Sequence, residues 1–194
     1  MTASRIGFAF CGSFCTLGEA LSRMEALAKE GRDIYPIMSE MVYNTDTRFG
    51  RAEDFIRRTE SACGRPVMHT IPQTEPIGPK ALLDLLVVAP CTGNTMSKLA
   101  SGITDTCVTM AVKAHLRNSR PVLLAPASND ALSGSSAALF RLMNTKNIFI
   151  VPSLQDDPKS KPCSLIADFS RLEEAMSSAL EGRQLRPVIL PAAL

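Results

Sequence analysis

The chain has 194 residues, a formal net charge of +2 and a charged fraction of 21%. This length fits a single α/β domain over residues 1–194 with a sizeable core. The sequence has no basic run to attract nucleic acid or an anionic membrane, no apolar segment near the ~20 residues of a membrane span, and no signal peptide. Six cysteines without a C-x-x-C pair or a companion ligand set predict no metal site and a reduced, cytoplasmic protein.

A strand, a small polar turn and a helix are predicted at the start of the chain. Ile6–Phe10 is a short apolar run, which is typical of a buried strand. Apolar residues then recur at helical spacing, so we expect a helix over about 17–29 that ends at Gly31. Thr16 and Glu19 have the spacing of a capping box at the start of this helix.

The turn Gly12-Ser13 lies where phosphate groups commonly bind. At the first strand-to-helix crossing of an open α/β sheet, backbone N–H groups and the helix dipole favour an anion. The turn therefore indicates a phosphate cradle, with a plain tight turn as the alternative. The sequence there contains neither G-x-G-x-x-G nor G-K-[ST], which argues against an ordinary dinucleotide site and a nucleotide triphosphatase.

The rest of the chain alternates predicted strands with predicted helices. Strands are expected at 33–38, 82–90, 121–126 and 148–151, and helices at 52–63, 95–101, 105–117, 131–144 and along an apolar stripe from 165 to 180. Pro36 favours a position near an edge or a bulge for its strand, whereas the strand over 82–90 is apolar on both faces and therefore central. The alternation predicts a three-layer αβα fold with a doubly wound parallel sheet, Rossmann-like or flavodoxin-like.

Polar residues follow three of the predicted strands. They are the Gly12-Ser13 turn, the segment 91–98 and the turn 127–130, and ligands bind at this edge of such sheets. Asn94 or Thr95 equally fits the role of a helix cap. His69, in the proline-rich loop 66–79, is a candidate general base, with an ordinary surface histidine as the alternative.

Several separated segments resemble one flavoprotein superfamily. Gly12-Ser13, Ala-Pro-Cys-Thr-Gly-Asn-Thr-Met-Ser-Lys at 89–98 and Ile-Thr-Asp at 103–105 resemble the flavin-containing cysteine decarboxylase superfamily. Segments 44–50, 75–80, 113–118, 129–132 and 143–148 look like those of its family of dipicolinate synthase B subunits. That resemblance implies a sporulation enzyme. A dehydrogenase-like A subunit of dipicolinate synthase, the expected carrier of NAD(P), acts with such a B subunit to convert a dihydrodipicolinate-type intermediate to dipicolinate.

The resemblance also implies a flavin mononucleotide (FMN) site. The residues that would hold the phosphate and ribityl end are Gly12, Ser13, Phe14 and Ser39. Those that would face the ring are Pro90, Cys91, Thr92, Asn94 and Thr95. His69 falls roughly where the decarboxylases carry their base. Lys161-Pro-Cys163-Ser164 stands in place of their Cys-Gly substrate clamp but lacks its glycine, which argues against cysteine decarboxylation and leaves the role of Cys163 open.

Two alternatives to the synthase B subunit stay open at this point. One is a flavin-dependent decarboxylase or flavin prenyltransferase of the same superfamily, and the other is a non-catalytic scaffold that keeps the fold. The superfamily also implies a homo-oligomer, for which the proline-rich loop and the tail 185–194 are the expected contact surfaces.

Overall fold

A computed structural model describes residues 4–191. The strands are β1 Arg5–Phe10, β2 Asp33–Met38, β3 Leu85–Cys91, β4 Val122–Ser128, β5 Ile148–Ile150, β6 Ser153–Leu154 and β7 Leu165–Ala167. The α-helices are α1 Phe14–Lys29, α2 Glu40–Asn44, α3 Ala52–Cys63, α4 Ile71–Thr74, α5 Gly93–Ala100, α6 Cys107–Leu116, α7 Ser136–Met143 and α8 Leu172–Leu180. Within residues 4–191, every helix is too short or too polar to cross a bilayer.

Five strands form a parallel sheet in the order β2-β1-β3-β4-β5. This is the strand order of flavodoxin-like folds. The predicted α/β class is confirmed, and so is the edge position of the strand that contains Pro36, since β2 ends the sheet. The chain adds one feature that the alternation did not predict. Strands β6 and β7 form an antiparallel hairpin that pairs with the carboxyl end of β4 through Ala127 and Ser128.

The sheet is covered on both faces. Alternate side chains of a strand point to opposite faces, so β1 places Phe8 and Phe10 in one core and Ala9 in the other. The first core contains the buried stripes of α1 and α8, and the second contains those of α5, α6 and α7. Burial on both faces explains why β3 is buried along its whole length, as a central parallel strand should be.

Most predicted bounds agree with the structure to within a few residues, and those of β2 and α3 agree completely. Gly31 and Gly64 follow α1 and α3 with φ of +81° and +65°, the left-handed conformation that glycine adopts without strain. The predicted capping box is wrong. Helix α1 begins three residues earlier than expected, so Thr16 lies inside its first turn, and its hydroxyl donates back to the Ser13 carbonyl (3.0 Å).

The last predicted helix is also shorter than its apolar stripe. Leu165 belongs to β7, and α8 begins only at Leu172 after a 3-10 turn at Phe169–Arg171. Phe169, Leu172 and Met176 of the predicted stripe pack in one core. Leu165 packs in the other core and Leu180 is 40% exposed, so the stripe holds only over residues 169–176.

His115 is a fully buried titratable group in α6. Its Nε2–H donates to the Pro121 carbonyl (3.0 Å), and its Nδ1 has no hydrogen-bond partner among residues 4–191. Burial lowers the pKa of His115 to about 4. The neutral ring is therefore part of the folded state, and its protonation opposes folding.

This burial predicts a loss of stability in mild acid. Because the pKa is about 4 in the folded chain and 6.5 when unperturbed, the unfolded state binds the proton first as the pH falls below 6.5. The free energy of unfolding should fall by about 2 kcal/mol between pH 7.5 and pH 5 through this group alone. Urea unfolding at both pH values should show that His115→Gln removes most of this difference. His69→Gln, which changes the only other histidine, should keep it; an equal loss in His115→Gln and the unmodified chain would contradict the assignment.

Candidate functional site

A cavity of about 770 Å³ opens at the carboxyl edge of the parallel sheet. Three strand ends line it, namely Gly12–Thr16 after β1, Thr92–Asn94 after β3 and Ala127–Asp130 at the end of β4. The remaining wall comes from Arg48 and Phe49 and from the β6–β7 hairpin. The three polar strand ends that the sequence singles out therefore do meet at one edge, as the topology of such sheets requires.

The first turn of α1 forms one wall of the cavity. The Ser13 hydroxyl accepts a hydrogen bond from the Thr16 hydroxyl (3.0 Å), and among the described residues it makes no capping bond to its own helix. The first N–H groups of any α-helix lack intrahelical acceptors. Phe14 and Cys15 carry these groups on the cavity wall, where the positive end of the helix dipole favours an anion.

A close approach at Gly12 shapes the same wall. A Cβ added there would lie 3.1 Å from Cγ of Met41, a side chain that is 57% exposed. A larger residue would push this side chain or the turn aside. Glycine thus keeps the turn beside α1 narrow.

The loop between β3 and α5 is held mainly by threonine hydroxyls. Thr92 is the N-cap of α5 and accepts from the Thr95 N–H (3.2 Å), so the cap lies at Thr92 and not at Asn94 or Thr95. The Thr95 hydroxyl donates to the Cys11 sulfur (3.3 Å) and lies 3.0 Å from the Thr92 hydroxyl. These contacts leave Asn94 as the exposed polar side chain of this segment.

Two buried thiols lie beneath these loops. Burial raises the pKa of Cys11 to about 11 and that of Cys91 well above its ordinary value. Both groups are therefore protonated and uncharged at neutral pH. They act as small apolar packing groups under the site.

Asp130 lies where the loop after β4 packs against the start of α5. Its Oδ1 accepts from the hydroxyls of Ser128 (2.5 Å) and Ser135 (2.8 Å), and these bonds lower the pKa of the carboxyl. Gly93 at the start of α5 packs directly on this cluster, because an added Cβ would lie 2.6 Å from Ser128 Oγ and 2.7 Å from Asp130 Oδ1. Only glycine allows the two loops to approach so closely.

The hairpin tip supplies a second fixed carboxylate. Asp156 accepts from the Lys161 ammonium (2.7 Å) and from the hydroxyl of Ser164. Burial raises the pKa of Asp156, but the hydrogen bonds from Lys161 and Ser164 outweigh it and hold the pKa below its usual value. All three residues line the cavity.

The structure places the predicted site residues in two groups. Five line the cavity: Gly12, Ser13, Phe14, Thr92 and Asn94. The other four lie behind its wall or beside it. Ser39 caps α2 by accepting from the Val42 N–H (3.4 Å), Pro90 and Cys91 are buried in β3, and Thr95 is bonded to Cys11. The assignment of all nine residues as flavin ligands stays a prediction.

His69 is not among the residues that line the cavity. Its ring stacks on Tyr43 with 3.8 Å between ring centroids and 8° between planes, and its Nδ1 is 3.4 Å from the Val67 carbonyl oxygen. This environment anchors the ring beside α2, near the carboxyl end of β2. Its assignment as a base stays a prediction.

Sequence reasoning did not predict that Arg48, Phe49, Asp156 and Lys161 line the cavity. Arg48 and Phe49 belong to the polar loop 44–50, which resembles the family but for which no role in the site was predicted. The position of the hairpin was signalled by the resemblance of 161–164 to a substrate clamp, although the two strands that carry it were not predicted.

We expect Gly93→Ala to disturb the site more than any other small substitution. The added methyl group must displace the Ser128–Asp130–Ser135 cluster, and such overpacking costs about 1–3 kcal/mol of folding free energy. Gly18→Ala is the matched control, since nothing lies within 4 Å of its added Cβ and its position inside α1 favours alanine. Chemical unfolding should show a lower free energy of unfolding for Gly93→Ala and an unchanged or higher one for Gly18→Ala. Equal stability of the two variants would contradict the packing described.

Comparisons with known proteins show the family to which the chain belongs. Residues 1–154 match the model of the Flavoprotein family. The B subunit of dipicolinate synthase from Bacillus subtilis is 43% identical over 190 residues, which cover 98% of this chain and 95% of that protein. The solved structure of the B subunit of dipicolinate synthase from Bacillus halodurans has a TM-score of 0.89 at 40% identity and covers 98% of this chain and 97% of that one. The FMN-dependent cysteine decarboxylase SpaF shares the fold, with a TM-score of 0.68 at 21% identity over 91% of this chain and 97% of its own. The chain therefore belongs to the Flavoprotein family and, within it, to the family of dipicolinate synthase B subunits.

Proposed function

We propose that this chain is the flavin-binding component of a two-subunit dipicolinate synthase. It binds flavin mononucleotide and acts with a dehydrogenase-like A subunit, which carries NAD(P). Together the two subunits oxidise a dihydrodipicolinate-type intermediate to dipicolinate in the cytoplasm of the sporulating cell. The observation that carries the proposal is the end-to-end likeness to the B subunit from Bacillus subtilis.

The polar groups on the cavity wall suit the two ends of flavin mononucleotide. The first turn of α1 and the Ser13 hydroxyl offer N–H and O–H groups to a phosphate. Thr92 and Asn94 offer a hydroxyl and an amide to the alternating donors and acceptors of the flavin ring. The cavity, at about 770 Å³, is within the ~300–1,000 Å³ that is usual for ligands and cofactors of this size.

The role of this chain in the reaction is to bind and orient the ligands. Aromatisation of a dihydropyridine removes a hydride and a proton, and a bound flavin supplies a hydride acceptor. Phe14 and Phe49 place apolar surface on the cavity wall, where it reduces the access of water to a bound ring. The Asp130 cluster packs directly against Gly93 at the start of α5, and this packing helps to hold the neighbouring Asn94 in a defined position.

Flavin-dependent decarboxylation is the second candidate, favoured by the fold shared with the FMN-dependent cysteine decarboxylases. Two features of this chain weigh against it. The candidate base His69 is not among the residues that line the cavity, and the segment 161–164 lacks the glycine of the decarboxylase clamp.

We further propose that the chain forms homo-oligomers. Ile189, in the expected contact tail, is 52% exposed, and residues 188–190 bond to Ser153 at the end of the sheet. Residues 192–194 of that tail lie outside the described residues.

Flavin binding provides the first test of the proposal. Titration of the purified chain, followed by flavin fluorescence, should show saturable binding of flavin mononucleotide. Ser13→Ala should weaken it about fivefold to tenfold through loss of a hydrogen bond to a charged group, but should leave riboflavin, which lacks the phosphate, unaffected. Asn94→Ala should weaken the binding of both flavin mononucleotide and riboflavin, because Asn94 is proposed to contact the ring that the two ligands share.

Ser101→Ala, an exposed serine at the far end of α5, is the control and should bind like the unmodified chain. Absence of saturable binding in the unmodified chain would overturn the flavin assignment and favour the scaffold alternative.

Dipicolinate formation by the assembled synthase tests the role of the chain. The A subunit alone should form dipicolinate much more slowly than the A subunit with this chain, because part of the binding site is then missing. Absorbance of dipicolinate at a fixed concentration of the A subunit measures the rate. An unchanged rate without this chain would exclude a catalytic contribution. An unchanged rate with Asn94→Ala in the complex would favour a scaffold.

A further inference from the structure

We propose that Lys161, at the tip of the β6–β7 hairpin, is an oxyanion ligand of the cavity. The inference rests on the proposed function, because it identifies the group that recognises a charged end of the substrate or cofactor. The oxyanion comes from one of two sources, a carboxylate of the pyridine dicarboxylate or the phosphate of the flavin. The chemistry is the same for both, and the test below distinguishes them.

Several hydrogen bonds hold the hairpin tip. The side-chain amide of Gln155 donates to the Pro162 carbonyl (2.9 Å), and the Lys161 N–H donates to the Asp157 carbonyl (2.8 Å). The Leu132 N–H donates to the Cys163 carbonyl (3.0 Å), which ties the tip to the loop after β4. These bonds fix the backbone of Lys161 in place at the cavity.

A buried hydroxyl and a carboxylate restrain the lysine side chain. Ser164 is only 4% exposed, and its hydroxyl donates to Asp156 Oδ1. The other oxygen, Oδ2, accepts from Lys161 Nζ at 2.7 Å. The ammonium has three N–H donors, and its one ion pair within the described part of the chain is the pair with Asp156, so two donors are left for a ligand.

The ion pair by itself contributes little to folding. The Lys161 and Asp156 side chains are 52% and 32% exposed, and pairs with this exposure stabilise proteins by about 0–1 kcal/mol. Its effect on binding is larger, because a lysine that is already restrained loses less side-chain freedom when a ligand arrives. The arrangement therefore suits recognition better than stability.

The cavity wall offers N–H donors to an anionic ligand. Its cationic side chains, Lys161 and Arg48, are balanced in number by its anionic ones, Asp130 and Asp156. Asp130 Oδ1 already accepts from two hydroxyls, and Asp156 Oδ2 accepts from Lys161. An oxyanion would therefore be held by the donors that remain on the Lys161 ammonium and by those of the first turn of α1, which lines the same cavity.

Binding measurements on the full chain test this inference. The variant is Lys161→Gln, and the matched control is Lys159→Gln, an exposed lysine of the same loop that lies outside the cavity wall. Each is titrated calorimetrically with pyridine-2,6-dicarboxylate, flavin mononucleotide and riboflavin. Lys161→Gln should weaken at least one oxyanion probe about tenfold, whereas Lys159→Gln should bind like the unmodified chain. Lys161→Arg, which keeps the charge, should restore most of the affinity.

The pattern of losses identifies the oxyanion. Weaker binding of pyridine-2,6-dicarboxylate, with an unchanged ratio of flavin mononucleotide to riboflavin affinity, assigns Lys161 to the substrate carboxylate. Weaker binding of flavin mononucleotide but not of riboflavin assigns it to the phosphate. The inference would be overturned if Lys161→Gln bound both pyridine-2,6-dicarboxylate and flavin mononucleotide as tightly as Lys159→Gln does, or if it changed the binding of none of the three probes. Failure of the unmodified chain to bind flavin rejects the proposed cofactor, while the dicarboxylate titration still tests Lys161.

Discussion

Parallel pairing of three buried strands brings the ends of β1, β3 and β4 to the same edge of the sheet. Backbone pairing reaches the carboxyl edge, since the Cys11 N–H donates to the Pro90 carbonyl (3.2 Å) and Cys91 pairs with Pro126 after a shift of register between Val88 and Cys91. The turns that follow must therefore emerge side by side. Because these strands are buried on both faces, the slip of a whole strand by one residue would exchange the side chains of the two cores, and the position of the cavity depends on this pairing.

Contacts between loops then determine the shape of the cavity. Asp130 gathers two serine hydroxyls, and the missing side chain of Gly93 lets α5 begin directly against them. On the hairpin beside this loop, Asp156 likewise accepts hydrogen bonds from Ser164 and Lys161. Both carboxylates have lowered pKa values and stay ionised at neutral pH, while the thiols beneath stay protonated. The site thus combines fixed charges at its wall with an uncharged interior.

The fold alone does not determine the reaction, since the same architecture occurs in FMN-dependent cysteine decarboxylases. The segments that close the cavity add their own groups to this architecture. The hairpin places Asp156 and Lys161 on the cavity wall, and the His69 ring stacks on Tyr43. A site that presents hydrogen-bond donors and a restrained cation is suited to binding and orienting an anionic, planar ligand.

The sequence by itself determined the features that depend on neighbouring residues. Alternating apolar runs and helical periodicity located β2 and α3 at their observed bounds, and polar strand ends located three of the cavity walls. Tertiary structure alone decided the rest. The hairpin strands have two and three residues, too few to show alternation, and exist through pairing with β4. Likewise, whether a hydroxyl such as that of Thr95 faces a ligand or bonds to Cys11 depends on a residue 84 positions away, which no local pattern reveals.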